Sequence, residues 1–221
     1  EVMARAFHIA RSGRPGPVHV ELPRLSDYSE YILQEEPALL PAYQSIPTEV
    51  PRPDPQDVAR YAQRLMAAKS PVLAAGKGVI RKGALRELAE LSMKLQAPVV
   101  FAQDAIGVIP EDHPFFAGHF SHNRPHPICG EALKRADLVL GVGLRAGAAE
   151  MADLTKHAPK HLILIGFDDV SESRYLGDDQ RVADPKLFLA ALLERLGSYQ
   201  RPRDEALIRQ MAERKAAVRR G

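Results

Sequence analysis

The sequence has a single cysteine, no tryptophan, no marked excess of either charge and no long apolar run. Cys129 stands alone among 221 residues, so no intrachain disulfide can form and we expect a reducing, cytoplasmic compartment. Thirty Lys and Arg against 28 Asp and Glu give a formal charge of +2, which argues against nucleic acid or an anionic membrane as a partner. No apolar stretch approaches the roughly 20 residues that span a bilayer, and no signal peptide is expected.

Short apolar runs alternate regularly with helical patterns. Hydrophobic residues make up 45% of the chain, enough to bury a sizeable core. Apolar runs predict strands at 72–75, 98–102, 138–143 and 162–165, with a fifth near 182–183. Helical spacing follows Asp54 and recurs at 83–95, 130–136 and 186–196, whereas 103–129 is expected to be irregular. Because strands that alternate with helices form parallel sheets covered on both faces, the sequence predicts a doubly wound, Rossmann-like α/β fold.

The pattern divides the chain into four parts. Residues 1–24 are predicted to form a helix over 1–12 and a half-buried strand over 18–22. The proline-rich segment 25–54 is expected to be an extended linker, because proline interrupts both helix and sheet. Residues 55–197 form the predicted α/β domain. The amphipathic, basic segment 198–221 is predicted to be a linker helix that leads to a further domain.

Candidate ligand-binding residues stand at the predicted strand ends. They are Gly76 and Gly78 after the first strand, Gly143 and Arg145 after the third, and Asp168 and Asp169 after the fourth. Glycine lets backbone amides approach a phosphate, a guanidinium suits the same anion, and a carboxylate accepts from ribose hydroxyls. A tight turn, a surface arginine and a helix cap explain the same residues without any ligand.

A histidine-rich segment is a weaker candidate, for zinc. His119, His122, His126 and Cys129 are ligand types that zinc accepts, but their spacing matches no common zinc module. Surface histidines and a packed cysteine are the preferred interpretation, so we expect neither a metal site nor a catalytic residue here.

Two stretches resemble one enzyme family. Residues 12–23, with the run Gly-Arg-Pro-Gly-Pro-Val, are similar to the end of the pyrimidine-binding domain of thiamine-diphosphate-dependent enzymes of the acetolactate synthase and benzoylformate decarboxylase superfamily. Residues 69–78, followed in order by 97–99, 107–114, Gly118 and 136–145, are similar to the central domain of that family. The resemblance covers nearly the whole chain.

This resemblance implies a longer parent protein, a lyase or transferase that uses thiamine diphosphate and magnesium. Its own N- and C-terminal domains would be partners of this one, in a homodimer or homotetramer. The catalytic glutamate of the family and its Gly-Asp-Gly motif followed by paired asparagines do not occur in this segment. Catalysis by the segment alone is therefore not expected.

The central domain binds FAD in some relatives, ADP in others and nothing in many. Asp169 matches one acid of the FAD-binding pattern and Asp184 matches a later one. Ala146–Ala148 and Phe167 depart from that pattern. The resemblance therefore implies a structural scaffold first and FAD or ADP binding second, with a free-standing FAD- or ADP-binding module as the alternative function.

Overall fold

A computed structural model describes residues 2–11, 16–21, 51–121, 126–144, 154, 161–166 and 179–220. The chain divides into two compact units, 1–50 and 51–221. In the first unit, helix α1 (Val2–Arg11) agrees with the predicted helix. Residues 16–21 are largely exposed and pair with no strand in the described parts of the chain, in contrast to the half-buried strand predicted there. A strand requires a partner strand, and the apolar alternation alone does not supply one.

The second unit contains the α/β domain. Its helices are α2 (Pro55–Ala67), α3 (Lys77–Arg81), α4 (Leu85–Leu95), α5 (Pro127–Arg135), α6 (Pro185–Leu196) and α7 (Glu205–Arg220). Its strands are β1 (Pro71–Ala75), β2 (Val99–Ala102), β3 (Phe116–Phe120), β4 (Leu138–Val142), β5 (Leu162–Gly166) and β6 (Asp179–Val182). In the part of the chain that the structure describes, no helix combines the length and apolarity needed to cross a bilayer.

All six described strands form one parallel sheet in the order β3-β2-β1-β4-β5-β6. Leu73 lies opposite Val99 on one side and opposite Leu140 on the other. Strands β1, β2 and β4 are buried along their whole length, as expected when helices cover both faces of a parallel sheet. The predicted doubly wound α/β fold is confirmed.

Three helices begin with the same local chemistry, a polar cap followed by proline. The side chain of Asp54 accepts from the Gln56 N–H ahead of α2, and Asp184 does the same for α6. His126 takes this place ahead of α5. Proline fits the next position because its missing N–H has no partner inside a helix. These caps fix the direction in which each helix leaves the loop before it.

The expected irregular segment 103–129 contains a strand that the sequence pattern did not reveal. Strand β3 forms the edge of the sheet beside β2. Gly118 lies within it at φ +82°, where a Cβ would overlap the ring of His126. Gly118 and His119 break the apolar pattern of the strand. The close contact between Gly118 and His126 joins β3 to the start of α5.

The tail helix packs on the domain. Met211 of α7 is buried, and Arg135 of α5 donates to the side chain of Gln210 at 2.7 Å. Lys215 donates to the carbonyl oxygen of His113 at 2.7 Å. Helix α7 thus contributes to the fold of the α/β unit at the end of the sheet where the strands begin.

Candidate functional site at the carboxyl edge of the sheet

The candidate glycines meet where the strand order reverses. Strands β2 and β3 lie on one side of β1, and β5 and β6 lie beyond β4, so the reversal falls between β1 and β4. Gly76 follows β1 and Gly143 follows β4, at the carboxyl ends of these neighbouring strands. In open α/β sheets this crevice is the usual ligand site. The structure therefore brings together three of the residues that the sequence singled out, Gly76, Gly78 and Gly143.

The backbone amides of this crevice already have protein partners. The Gly76 N–H donates to the Val142 carbonyl at 2.9 Å, and the Gly78 N–H donates to the Gly143 carbonyl at 3.0 Å. The Val79 N–H donates to the Gly76 carbonyl at 3.1 Å. A phosphate cradle needs N–H groups that point outward and lack such partners. In the turn as it stands, the N–H groups of Gly76, Gly78 and Val79 are therefore not available to a phosphate.

Close backbone contact explains the glycines. A Cβ on Gly76 would overlap the carbonyl oxygen of Gly143 and the Cα of Leu144. A Cβ on Gly143 would stand 2.8 Å from the Cα of Gly78, and Gly143 also adopts φ +64°. The two turns pack directly on each other, so the glycines have a structural role that requires no ligand.

Asp184 also has a structural role. Its carboxylate accepts from the N–H groups of Lys186 and Leu187 and forms a 2.9 Å ion pair with Lys82. Partial burial acts to raise the pKa of Asp184, but the hydrogen bonds from Lys82 and these backbone groups outweigh it and hold the pKa below its ordinary value. These interactions link the start of α6 to the end of α3.

Two further candidates, Arg145 and Asp169, lie outside the described residues, as do Asp168 and His122. The part of the histidine-rich segment that is described shows no metal geometry. His119 and His126 have ring centroids 6.3 Å apart, and Nδ1 of His126 accepts from the Ile128 N–H at 3.4 Å. Burial, and after it the neighbouring His119, lowers the pKa of His126. Within the described ranges, no three His, Cys, Asp or Glu side chains form a metal-binding group.

Sequence reasoning missed the polar contacts at the opposite end of the sheet. Asp137, at the start of β4, accepts from the backbone N–H groups of Lys69 at 2.6 Å and Ser70 at 2.9 Å. Arg201 donates to the carbonyl oxygens of Leu65 at 3.0 Å and Ala68 at 2.8 Å, at the end of α2. The only sequence signal for the role of Asp137 was its place as a polar residue directly before an apolar strand. No sequence pattern pointed to the role of Arg201.

Comparison with known proteins decides the family. Residues 58–192 match the family described as thiamine pyrophosphate enzyme, central domain. This chain belongs to that family. The central-domain match begins within α2 and ends within α6, and it includes the whole described sheet.

Relatives of this central-domain chain include a glyoxylate carboligase and an acetolactate synthase. Glyoxylate carboligase of Escherichia coli O157:H7 is 30% identical over 195 residues, which cover 87% of this chain and 32% of the relative. The acetolactate synthase large subunit of Corynebacterium glutamicum is 32% identical over 197 residues, covering 88% of this chain and 31% of the relative. The chain spans about a third of the length of the curated relatives it matches.

Solved structures show the same architecture. Benzoylformate decarboxylase from Polynucleobacter necessarius superposes with a TM-score of 0.65 at 25% identity, over 92% of this chain and 37% of that one. A putative thiamin diphosphate-dependent enzyme from Mycobacterium smegmatis gives a TM-score of 0.63 at 28% identity, over 91% of this chain and 38% of that one. The family predicted from residues 12–23 and 69–145 is thereby confirmed.

Proposed function

We propose that this central domain is the scaffold of a thiamine-diphosphate-dependent 2-oxo acid decarboxylase or carboligase, and that it takes no part in the chemical step. The observation that carries the proposal is the match of nearly the whole chain to about a third of carboligating relatives. The hydrogen bonds at the carboxyl edge add support, because Gly76, Gly78 and Val79 all direct their N–H groups to protein carbonyls.

In this proposal the reactive groups belong to the other domains of a parent protein. Thiamine diphosphate supplies an electron sink for the loss of CO2 from a 2-oxo acid, and magnesium neutralises its diphosphate. The residues of this chain hold the sheet and its helices rigid, as the Lys82–Asp184 ion pair and the Arg201 contacts with α2 illustrate. A homodimer or homotetramer in the cytoplasm is the assembly we propose for the parent.

The test compares two proteins, this chain and the complete reading frame that contains it. Each is titrated with thiamine diphosphate and magnesium by calorimetry and then assayed for CO2 release from pyruvate, glyoxylate and benzoylformate. We expect the complete protein to bind the cofactor and to release CO2 from at least one acid, and this chain to do neither. CO2 release by this chain alone, or a complete protein without cofactor binding, would refute the proposal.

Nucleotide binding is the second candidate, and the position of Gly76 and Gly143 at the strand-order reversal favours it. ADP or FAD would have to displace the hydrogen bonds that now join the two turns. Titration of this chain with ADP, FAD and NAD distinguishes the candidates. Measurable heat with ADP or FAD would support the nucleotide-binding module, and absence of heat with all three would support the scaffold.

A further inference from the structure

A groove lies at the amino edge of the sheet, where α7 packs beside α5. We call it the amino-edge groove. Its apolar floor consists of Pro71, Val72, Pro98, Ile128, Leu207 and Met211. Val72, Ile128 and Met211 are almost fully buried, with exposed fractions of 2%, 2% and 4%. The floor is therefore built of closely packed apolar residues, and apolar side chains are the usual lining of a small-molecule site.

The rim of the amino-edge groove is charged and carries an excess of cations. Its charged members are Lys69, Glu131, Arg135, Arg201, Asp204 and Arg214. Glu131 pairs with Arg214 at 2.9 Å. Asp204 accepts from the Leu207 N–H at 2.8 Å and so caps α7. Among the described residues, neither acid pairs with Lys69 or Arg135, so the rim keeps a positive balance.

Two of the rim cations are held in place and, among the described residues, are not neutralised by a carboxylate on the rim. Arg135 donates to Gln210, whose side-chain amide is uncharged. Arg201 donates to the carbonyl oxygens of Leu65 and Ala68, and its Nε is buried without a hydrogen-bond partner. The carboxylate of Asp137 lies nearby, but it accepts from the N–H groups of Lys69 and Ser70. An anion at the rim would therefore meet oriented cations.

The size of the groove limits the apolar part of a ligand. Its cavity volume is about 80 Å³, well below the roughly 300–1,000 Å³ of pockets that hold drug-sized ligands. Only a few carbon atoms fit against Val72, Ile128 and Met211. An inorganic anion would leave this floor uncovered, and an uncharged aliphatic molecule would leave the rim cations without a partner.

We propose that the amino-edge groove binds a short aliphatic carboxylate, with its tail on the apolar floor and its carboxylate at Lys69 and Arg135. A guanidinium and an ammonium together suit a carboxylate. The site stands on the opposite edge of the sheet from the glycine turns and does not depend on the proposed scaffold function. Because α7 and the strand ends both line it, a bound ligand holds α7 against the domain.

The test uses this chain and 4-methylpentanoate as the probe, measured by calorimetry. Its uncharged counterpart 4-methylpentanamide tests the carboxylate, and sulfate tests the tail. We expect 4-methylpentanoate to bind about tenfold more tightly than either, a difference that corresponds to one charge-assisted contact. Binding should also slow amide hydrogen exchange in α7. Absence of binding, or equal binding of sulfate, would overturn the proposal.

Variants locate the site. Arg135→Gln and Lys69→Gln should each weaken 4-methylpentanoate binding about tenfold, because each removes one cation from the rim. Arg209→Gln is the matched control, since Arg209 is exposed on the same helix α7 and does not line the groove. If Arg135→Gln and Arg209→Gln bind the probe equally, the carboxylate does not sit where we place it and the proposal fails.

Discussion

The two edges of the sheet are closed in different ways. At the carboxyl edge, the turn after β1 contacts the turn after β4 through backbone atoms, with the Gly78 N–H bonded to the Gly143 carbonyl. At the amino edge, long side chains make the closure. Arg201 reaches the end of α2, and Lys215 reaches the carbonyl oxygen of His113.

This difference has consequences for substitution and for ligands. Backbone-to-backbone contact leaves no space for a Cβ and uses the N–H groups that a phosphate would need. Side-chain closure leaves concave space between the elements and keeps charged groups at its rim. We therefore expect the carboxyl edge to tolerate almost no change, and the amino edge to adjust to changes at moderate cost.

The largest expected effect tests the backbone contact. Gly143→Ala should destabilise the fold by about 3 kcal/mol or more, because the new Cβ overpacks against Gly78 and the left-handed backbone is strained as well. Urea unfolding measures the change. Gly83→Ala is the control, since Gly83 has φ +62° with no atom near the added Cβ, and should cost only about 1 kcal/mol.

If Gly83→Ala costs as much as Gly143→Ala, backbone strain alone explains the loss. The tight contact between the two turns would then contribute nothing to the free energy of unfolding.

The next effect probes the amino edge. Met211→Ala should cost about 2 kcal/mol, the lower end of the range for a buried methionine, because one face of α7 borders a groove that can relax. Hydrogen exchange should show a larger loss of amide protection in α7 than in the sheet. Met93→Ala, at a side chain that is 40% exposed, should change stability little. Equal effects at the two methionines would mean that α7 is not anchored by Met211.

A smaller effect is expected from Asp184→Asn, which keeps an oxygen for the cap of α6 but removes the Lys82 ion pair. The cost at neutral pH should be at most about 1 kcal/mol, as for partly exposed pairs. The folded-state pKa of Asp184 is lowered, so its stabilisation is present above the ordinary pKa of Asp and is lost as the pH falls through the lowered value. The wild type and the variant should therefore converge in acid.

Denaturant unfolding at a series of pH values checks this convergence. Asp54→Asn, at the corresponding cap of α2, is the control for the cap alone. A gap between wild type and Asp184→Asn that persists unchanged in acid would contradict the role given to the charged carboxylate.

The smallest effect concerns pH at the amino edge. Burial, followed by the charge of Lys215, lowers the pKa of His113, and Asp112 opposes this shift. Nδ1 of His113 accepts from the Phe115 N–H at 3.2 Å. Because the pKa of His113 is lowered when α7 is packed on the domain, protonation of His113 disfavours that packing. The packing of α7 is therefore unaffected above the ordinary histidine pKa and weakens as the pH falls below it.

His113→Asn keeps an acceptor for Phe115 and cannot take up the proton. Hydrogen exchange in α7, corrected for intrinsic rates, should quicken in acid for the wild type and stay constant for this variant. The exposed His19 provides a control, and His19→Asn should behave as the wild type. If hydrogen exchange in α7 of His113→Asn quickens in acid as it does in the wild type, protonation of His113 is not the cause.

Much of the fold was predictable because apolar runs with turn residues between them carry a strong local signal. The strands at 72–75, 138–143 and 162–165 were predicted within a residue or two of their bounds. Strand β3 was missed because Gly118 and His119 interrupt its apolar pattern. The candidate site was only half predictable: the glycines were found, but the sequence does not show which atoms their N–H groups contact.

By itself, the sequence determined the parallel α/β class, the helix start at Asp54 and the family, since each depends on residues close together in the chain. Tertiary structure alone decided that Gly76 and Gly143 touch, that Asp137 holds Lys69 and that α7 forms one wall of a groove. The physical reason is that these contacts join segments far apart in the chain. Their distances follow from how the sheet and its helices pack together, which no local pattern records.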